Sequence, residues 1–315
     1  MRALRFVHHL IWGLAGLSLA GICACSNDNN TPDTPAPNPA KRISVATWNV
    51  HNFFDTVCDS GACGGDNYEP SVSQSAYFDK LNSVVSGIRF INADVMLLQE
   101  IENQTCFDDI IKELNSNSKQ EVSGVFGEQG KAASMDVGII VRGQIKGVQK
   151  YRDDHPIAQP DGTTKLLARE LLQADIVLHN GVELTAFTTH FVSKATDAVG
   201  DRRQGEADLT QKILAEYVQT HPERLVVFGG DLNDFPDSPQ IQALSRDGIL
   251  TSVTKNMPAN EILTWRNASA LDHIFYPSAY ESCLKDTRII CDEKRYDGFN
   301  TSDHCSVKAV FDWIP

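Results

Sequence analysis

The chain has 315 residues, of which 42% are hydrophobic and 22% are charged, and it carries a formal net charge of −13 at pH 7. A chain this acidic lacks the overall positive field of a tight, sequence-independent DNA-binding protein. The charge does not exclude a nuclease, because a nuclease needs only transient contact with nucleic acid and can recruit divalent cations to an acidic surface.

The first 24 residues predict a secretory signal. Two arginines precede an apolar run over residues 10–22, which is shorter than the roughly 20 residues that a membrane-spanning helix needs. Ala24 then precedes Cys25 in a sequence that resembles a bacterial lipobox, so we predict cleavage after Ala24 and lipidation of Cys25. The alternative is simple secretion, with the cysteine lost in the discarded peptide.

A tether and one folded domain are expected after the signal. Residues 25–41 contain the lipid-bearing cysteine followed by Asn, Asp, Thr and Pro with almost nothing apolar, which predicts a disordered segment. Residues 42–315 have no second linker and no internal repeat, and their length suits one large α/β domain. We therefore expect a monomer in the cell envelope, exported and lipid-anchored to a bacterial membrane.

The domain contains six cysteines, and in an exported chain cysteines predict disulfides. The short spacings favour the pairs Cys58 with Cys63 and Cys283 with Cys291. Cys106 and Cys305 are left without a predicted partner, and Cys305 lies in a strand-like segment where it is expected to pack.

The first half of the domain alternates between strand and helix patterns. Residues 43–49, 94–100 and 135–142 are apolar or alternating runs typical of strands. Strand, helix and strand in this order imply a layered α/β arrangement. The helix between the first two strands is predicted from an apolar stripe made of Phe78, Leu81, Val84, Val85 and Ile88.

The second half of the domain begins with a predicted hairpin. Its two strands are antiparallel, so we expect a mixed sheet and not a purely parallel one. Residues 167–178 and 182–190 are strand-like and are separated by Asn180 and Gly181, a strong hairpin signal. An amphipathic helix is predicted over residues 203–220, ending at Pro222. A buried strand over residues 225–231 and further strands over 271–276 and 307–311 complete the domain.

Polar side chains stand at or near the ends of these predicted strands. Carboxylates and amides without clustered cysteine or histidine suit a hard cation such as Mg²⁺, which usually takes one or two protein carboxylates. Histidines suit contact with a phosphate or transfer of a proton, with an aspartate fixing the tautomer. The candidates are Asn49, Glu100, Arg169, His190, Asp231, Asn233, Asp272, Asp303 and His304.

Six short motifs in order resemble those of the endonuclease/exonuclease/phosphatase superfamily. The sequences of residues 49–55 and 99–103 are most similar to its extracellular nuclease-like branch, and Leu167-Ala168-Arg169-Glu170 is similar to an arginine-bearing strand of the pancreatic deoxyribonucleases. The six motifs are Thr47-Trp48-Asn49, Leu98-Gln99-Glu100, Thr189-His190, Gly230-Asp231-Leu232-Asn233, Leu271-Asp272-His273 and Ser302-Asp303-His304.

The resemblance implies the fold and the metal site. The fold would be a four-layer α/β sandwich, in which two facing mixed sheets are flanked by helices. Glu100 would be the main metal ligand, with Asn49 and Asp303 beside it. The metal would be Mg²⁺, with Mn²⁺ or Ca²⁺ as alternatives.

The resemblance also implies the catalytic roles. Asp231 would orient or deprotonate the attacking water, and Asn233 would hold that water or a phosphate oxygen. His304, oriented by Asp272, would contact the phosphate, and His190 would be the second histidine, on the phosphate or the leaving group.

Other polar residues carry a structural and a functional interpretation. Arg169 is expected on a strand near the phosphate, and the first tyrosine in the interval where the family pattern often has one is Tyr151. Glu102 and Asn103 are expected either to support Glu100 or to cap a turn. Lys194, Arg202 and Arg203 are interpreted as solvated rather than phosphate-binding, and the remaining histidines of the domain as loop or packing residues: His51, His155, His179, His221 and His273.

The leading functional hypothesis is a metal-dependent phosphodiester hydrolase, most simply a nuclease acting outside the cytoplasm. A phosphatase or a lipid phosphodiesterase of the phosphoinositide or sphingomyelin type, built on the same metal core, is the alternative within the enzyme class. A non-catalytic surface binding protein is the alternative from another class. The hypothesis predicts nucleic acid or another phosphodiester as the substrate and a membrane partner reached through the lipid on Cys25.

Overall fold

The computed structural model describes residues 40–116, 121–130, 134–291 and 302–313. All of them lie in one compact unit, Asn38–Pro315. The predicted signal, the lipidation site at Cys25 and the tether lie outside the described residues. None of the helices in the described ranges is long and apolar enough to cross a membrane.

The described residues contain fourteen strands and four α-helices. The helices are α1 (Gln74–Ile91), α2 (Gln104–Asn115), α3 (Asp201–Thr220) and α4 (Pro239–Ala243), and two 3₁₀ turns cover Ala259–Glu261 and Ser278–Cys283. The strands are β1 (Lys41–Phe53), β2 (Val95–Ile101), β3 (Ser123–Gly127), β4 (Asp136–Val141), β5 (Gly143–Lys150), β6 (Ile157–Ala158), β7 (Thr164–Lys165), β8 (Leu172–Leu178), β9 (Glu183–His190), β10 (Leu225–Asp231), β11 (Leu250–Ser252), β12 (Asp272–Pro277), β13 (Leu284–Ile290) and β14 (Ser306–Trp313).

Twelve of the strands form two mixed sheets of six. The first has the order β13-β14-β1-β2-β4-β3 and the second the order β11-β12-β10-β9-β8-β5, while β6 and β7 pair separately. Strands β1 and β2 run parallel, as do β9 and β10, and the other pairs in the two sheets are antiparallel. The predicted hairpin across Asn180 and Gly181 is confirmed as β8–β9.

Alternation along the strands divides the core into layers. Val45 of β1 faces the cluster between the two sheets, whereas its neighbour Ala46 faces α1 and α2. On the second sheet, Val227 faces the first sheet and Phe228 packs with α3 and α4. Each sheet is therefore covered by the other sheet on one face and by helices on the other, which confirms the predicted four-layer α/β sandwich.

The apolar stripe predicted for α1 is correct except at one position. Leu81, Val84, Val85 and Ile88 are buried against the first sheet, but Phe78 is 48% exposed. Tyr77 takes the buried position instead, stacks on Phe53 and donates from its hydroxyl to Asp109. A tyrosine can face inward here because α2 supplies the acceptor for its hydroxyl.

One of the two predicted disulfides is correct and the other is wrong. Cys58 pairs with Cys63, but Cys291 pairs with Cys305, and Cys283 is a free thiol. Cys283 and Cys291 stand at opposite ends of the seven-residue strand β13, which separates them by about 23 Å. The antiparallel register of β13 with β14, in which Ile290 faces Ser306, places Cys291 beside Cys305.

The disulfide between Cys291 and Cys305 should stabilise the edge of the first sheet. Its sequence separation is 14 residues, and a ring of roughly that size contributes about 3 kcal/mol to the free energy of unfolding. We expect the double variant Cys291→Ser/Cys305→Ser to lose about that amount in denaturant unfolding without reductant, so that the disulfide of the parent protein stays intact. Cys283→Ser is the control and should change the free energy little, so an equal loss in the two proteins would contradict the assignment.

Candidate active site

The first sheet delivers an amide and a carboxylate from neighbouring parallel strands. Asn49 of β1 stands opposite Gln99 of β2, and the register shifts directly afterwards. This shift turns Glu100 toward the same side as Asn49, and the Asn49 Nδ2 donates to Glu100 Oε1 over 2.8 Å. The other oxygen of Glu100 accepts from the backbone N–H of Asn52, also over 2.8 Å.

The second sheet places three more candidates side by side. Asp231 at the end of β10 is paired with His190 of β9 on one side and with Asp272 of β12 on the other. All three side chains are buried. This register brings the ends of β9 and β10 and the start of β12 together at one edge of the second sheet.

Asn49 joins the two sets across the interface between the sheets. Its Nδ2 donates to Asp231 Oδ2 over 2.9 Å as well as to Glu100. Its own Oδ1 accepts from the backbone of His51 over 2.8 Å. Because both protons of the amide are committed to carboxylates, Asn49 fixes the positions of the two acids relative to each other.

Asp272 holds His304 in the predicted way. Nδ1 of His304 lies 2.8 Å from Asp272 Oδ2, and Nε2 lies 3.8 Å from Asp231 Oδ2. Burial opposes a charge on the imidazole, but the two carboxylates outweigh it and raise the pKa of His304 to about 10. The side chain is therefore an imidazolium at neutral pH, with its outer nitrogen directed at Asp231.

His190 is held in the opposite charge state. Burial and the neighbouring Arg169 guanidinium lower its pKa to about 4, so the ring is neutral at pH 7. The Asn233 Nδ2 lies 3.0 Å from His190 Nε2 and also donates to the carbonyl of Phe191. Since the NH₂ group of Asn233 can only donate, this contact makes Nε2 the acceptor and places the proton of the neutral His190 ring on Nδ1.

Asp231 combines burial with partners that favour its charge. Its Oδ1 accepts from the backbone N–H of Asn233 over 2.9 Å, and its Oδ2 accepts from Asn49. Burial is the largest effect and raises its pKa to about 7, although the nearby His304 charge opposes the rise. A carboxylate with a pKa near the working pH is suited to accept a proton from water.

Asp303 lies at the mouth of the site. Its Oδ2 accepts from Trp265 Nε1 and Arg266 Nε, both over 3.0 Å, and His51 Nδ1 is 3.6 Å from its Oδ1. That Oδ1 is buried and has no hydrogen-bond partner among the described residues. Burial opposes ionisation, but the charges of His304 and His51 lower the pKa of Asp303 and keep it ionised.

These donors fit a hard divalent cation. The carboxylates of Glu100 and Asp303 are oxygen ligands of the kind that Mg²⁺ prefers. Asn49, the third predicted ligand, directs its Nδ2 at the acids and its Oδ1 at the N–H of His51, so in this structure it positions Glu100 and presents no oxygen to the cleft. A buried carboxylate oxygen without a partner, as in Asp303, has a lone pair available for a cation. In addition, ligand atoms of Glu100, His190 and Asp231 lie within 4.8 Å of one another.

Backbone strain is concentrated at this site. Seven described residues other than glycine have a positive φ, and four of them border the cleft: His51, Asn52, Glu100 and Asn233. Left-handed backbone costs such residues about 1–2 kcal/mol each. The strain turns their side chains and N–H groups toward the acids, which is consistent with a functional constraint.

Arg169 borders the cleft, but it does not lie on a strand as predicted. It occupies a bend three residues before β8. Its Nε donates to the carbonyl of Met135, and its Nη1 donates to that of Ala168. The sequence pattern predicted a strand from residue 167 because apolar residues there run on into β8. In the structure β8 begins at Leu172, and Leu167 packs with the helices of the outer layer instead.

The tyrosine position is filled differently from the sequence expectation. Tyr151 packs against Phe187, and its hydroxyl donates to Gln173, away from the cleft. Tyr68, from the loop between β1 and α1, lines the cleft instead. Its position before Glu100 in the chain placed it outside the interval in which a tyrosine was sought.

The other polar candidates resolve into structural roles. Asn103 caps α2 by accepting from the N–H of Cys106, and Glu102 accepts from the N–H of Asp55 and has no hydrogen bond to Glu100. Arg203 is buried in an ion pair with Asp234. The ring of His273 is buried, as expected of a packing residue, and contacts the carbonyl of Asp234.

The cleft has a volume of about 710 Å³. His190, Asp231, Asn233, Glu100, Asp303, His304 and Arg169 all line it, whereas Asn49 and Asp272 hold these residues from behind. The sequence interpretation did not place some of its lining residues there. They include His51, Tyr68, Phe235 and Trp265, and Lys194 and Arg202 line it as well.

The charge of His304 should make stability depend on pH. Its pKa is raised from 6.5 to about 10, so its contribution is complete below pH 6.5 and is lost as the pH rises through 10. We expect the free energy of unfolding of the metal-free protein to fall between pH 7.5 and pH 10, by at most about 1.4 kcal/mol per pH unit. Urea unfolding of His304→Gln should show a shallower fall, and an identical slope in both proteins would contradict the paired state.

Comparison with known proteins identifies a family and a fold. A model of the Endonuclease/Exonuclease/phosphatase family matches residues 44–263, while no curated protein sequence matches the chain. The fold is similar to an endonuclease/exonuclease/phosphatase family protein from Bacteroides thetaiotaomicron, with a TM-score of 0.59, 18% identity and coverage of 87% of this chain and 97% of that one.

Two further solved structures share the fold. D. rerio TDP2, complexed with single strand DNA product, has a TM-score of 0.58, 18% identity and coverage of 86% and 99% of the two chains. The human Nocturnin catalytic domain with bound sulfate anion has a TM-score of 0.60, 15% identity and coverage of 87% and 95%. At identities this low, the structural similarity shows a common fold and nothing further.

Proposed function

This chain belongs to the endonuclease/exonuclease/phosphatase family, whose members hydrolyse phosphate esters, and we propose that it is a divalent-metal-dependent phosphodiesterase, specifically a nuclease acting outside the cytoplasm. The observation that carries the proposal is the meeting of Glu100, Asp231 and His304 in one cleft. The first sheet supplies Glu100, the second supplies Asp231, and His304 lies two residues before β14 of the first. Each has the chemistry that hydrolysis of a phosphodiester requires.

Glu100 and Asp303 would hold the metal, with Asn49 fixing the Glu100 carboxylate through its Nδ2. Mg²⁺ is the proposed ion, with Mn²⁺ or Ca²⁺ as alternatives. When bound, such a cation polarises the phosphate and offsets the negative charge that builds up on its oxygens. Glu100 and Asp303 would supply the negative charge that attracts the cation, since the pKa of each is lowered and both groups stay ionised. At Glu100, burial is outweighed by the hydrogen bonds from Asn49 and the N–H of Asn52 and by the charged His304 ring, which lower the pKa of the carboxyl.

Asp231 is proposed to position and deprotonate the attacking water. The hydrogen bonds from Asn49 and Asn233 fix its carboxylate, and its raised pKa makes it a stronger base than an exposed aspartate. Fixing the water for in-line attack removes much of the entropic cost of bringing the reactants together. A proton accepted on the Asp231 carboxylate would leave hydroxide to form the new P–O bond, while the P–O bond on the opposite side of the phosphorus breaks and the departing oxygen takes a proton from solvent.

His304 is proposed to stabilise the phosphate in the transition state. Asp272 fixes its ring through Nδ1, so that the Nε2–H faces the cleft as a charged donor. Charge-assisted donors that are already in place when negative charge develops contribute more than mobile ones. Asn233 and the neutral His190 would contact the water, a phosphate oxygen or the leaving group, and Arg169 would face the phosphate from the edge of the cleft.

The preference for nucleic acid and the location outside the cytoplasm rest on sequence and comparison. The sequences of residues 49–55 and 99–103 support the extracellular nuclease-like branch, and the signal with Cys25 supports a lipid-anchored envelope protein. D. rerio TDP2, which has a similar fold, was solved in complex with a single strand DNA product. That complex supports the proposal of a nucleic-acid substrate for this cleft. A lipid or phosphate-ester substrate would use the same groups.

The decisive experiment is a panel of substrates with and without Mg²⁺. Single-stranded DNA, duplex DNA, RNA, an aryl phosphodiester and phosphoinositide or sphingomyelin vesicles should be incubated with the mature protein. We expect Mg²⁺-dependent cleavage of nucleic acid. Release of phosphate or headgroup from lipids without cleavage of nucleic acid would favour the lipid enzyme, and Mg²⁺ binding without turnover of any substrate would favour a binding protein.

A further inference from the structure

Two exposed aromatic side chains border the cleft. Among the described residues only four aromatic side chains are strongly exposed, and Tyr68 and Phe235 are the two that line it. Tyr68 is 64% exposed and comes from a loop of the first sheet, whereas Phe235 is 42% exposed and follows β10 of the second. Exposure of large apolar rings costs free energy, so rings on both sides of a catalytic cleft call for a ligand.

The ring of Phe235 is held in place by buried groups around Asp234. The Asp234 carboxylate accepts from Arg203 Nε over 2.9 Å and pairs with Lys194 Nζ at 2.7 Å, and its carbonyl contacts the His273 ring. The N–H of Phe235 itself donates to Asp234 Oδ1. The backbone that carries the ring is therefore fixed before any ligand arrives, which lowers the entropic cost of binding.

The cations of the cleft are already committed to protein partners. Lys194 pairs with Asp234 and lies 3.3 Å from the centroid of the Phe235 ring. Arg202 lies 3.6 Å from the buried carboxylate of Glu206 and donates to the carbonyl of Leu166, and Arg169 donates to two carbonyls. Few positive charges in the cleft are therefore available to bind the many phosphates of a duplex. The net charge of the chain, −13, adds no general attraction for them.

From these observations we infer that Phe235 is a stacking platform for an unpaired nucleobase, and that the substrate is single-stranded nucleic acid. The inference rests on the proposed function and assigns its substrate class. A base can stack on a protein ring only when it has left its neighbours in the strand, which a single strand permits at low cost. Tyr68 borders the same cleft and offers a second ring for a base on the other side of the scissile phosphate.

Binding measured in EDTA separates this inference from the proposed reaction. The probes are a short fluorescent single-stranded oligonucleotide, the same oligonucleotide with abasic sites in its centre, and the corresponding duplex. We expect Phe235→Ala to weaken binding of the single strand by about 5- to 150-fold, which corresponds to the loss of one stacked base. The Phe235→Ala protein and the parent protein should bind the abasic strand equally well. Phe235→Trp should bind the intact single strand as the parent protein does.

Phe78→Ala is the matched control, because Phe78 is 48% exposed on α1 and does not line the cleft. It should bind all three probes like the parent protein. Equal weakening of the intact and abasic strands by Phe235→Ala, or no weakening, would overturn the assignment of the ring. Duplex binding as tight as single-strand binding would overturn the substrate class.

Two other outcomes also decide the question. If the parent protein binds none of the oligonucleotides but binds anionic phospholipid vesicles in a manner that requires Phe235, the ring serves a lipid substrate and the inference is wrong. If it binds the single strand through Phe235 but cleaves no phosphodiester with Mg²⁺, the platform stands and the proposed reaction fails.

Discussion

Asp231→Asn is expected to lower the turnover of a phosphodiester by about 10²- to 10⁴-fold or more, because it removes the group proposed to take a proton from the attacking water. The asparagine keeps the shape of the side chain and can still accept the hydrogen bond from the N–H of Asn233. It cannot accept a proton, and its NH₂ would face the amide of Asn49, which has to turn. The loss should appear in kcat, because the aspartate is proposed to act on the water in the transition state.

Stability is expected to survive this change. Burial disfavours the charge of Asp231 and raises its pKa to about 7, so a neutral amide relieves that cost and offsets the altered contact with Asn49. Asp175→Asn is the matched control: Asp175 lies on β8 outside the cleft, where it accepts from Thr185 and Tyr217. Turnover by a folded Asp231→Asn protein at the level of the Asp175→Asn protein would contradict the role assigned to Asp231.

The strand patterns predicted most of the candidate residues because a buried strand ends where its apolar run ends. The polar residues at that point, such as Glu100 on β2 and Asp231 on β10, then lie at one edge of a sheet. Asp231, His190 and Asp272 are consequently neighbours in register. The contact of Asn49 with both Glu100 and Asp231 was outside the reach of the pattern, because it depends on how the two sheets face each other.

The errors have the same origin in contacts between distant segments. Cys283 and Cys291 are close in sequence but are separated by a strand, and the partner of Cys291 is chosen by the register of β14. Phe78 fits a helical stripe, yet Tyr77 is buried because α2 offers Asp109 to its hydroxyl. Tyr68 reaches the cleft through a loop anchored by a disulfide and by Glu69, which accepts from Asp59 and Ser60.

Glu100→Gln is expected to weaken Mg²⁺ binding by at least about 100-fold, since even the loss of a group that merely orients a ligand costs 10- to 100-fold in affinity. Gln retains an oxygen for the hydrogen bond from Asn49, but its NH₂ would meet the N–H of Asn52. Losing that single bond costs about 1 kcal/mol, which a domain of this size tolerates. Titration calorimetry with Mg²⁺ measures the affinity, and the Mg²⁺ concentration needed for half-maximal turnover provides a second readout.

Glu102→Gln separates the loss of a ligand from the loss of a buried acid on the same segment. Glu102 is two residues further along, is buried with its pKa raised to about 7 by desolvation, and accepts from the N–H of Asp55. It has no hydrogen bond to Glu100 or Asn49, so its substitution should leave the Mg²⁺ affinity within about twofold of the parent value. Equal weakening in the two variants would show that the segment, not the Glu100 carboxylate, controls the metal. An unchanged affinity in Glu100→Gln would remove Glu100 from the ligand set and leave Asp303, with its unpartnered oxygen, as the remaining carboxylate of that set.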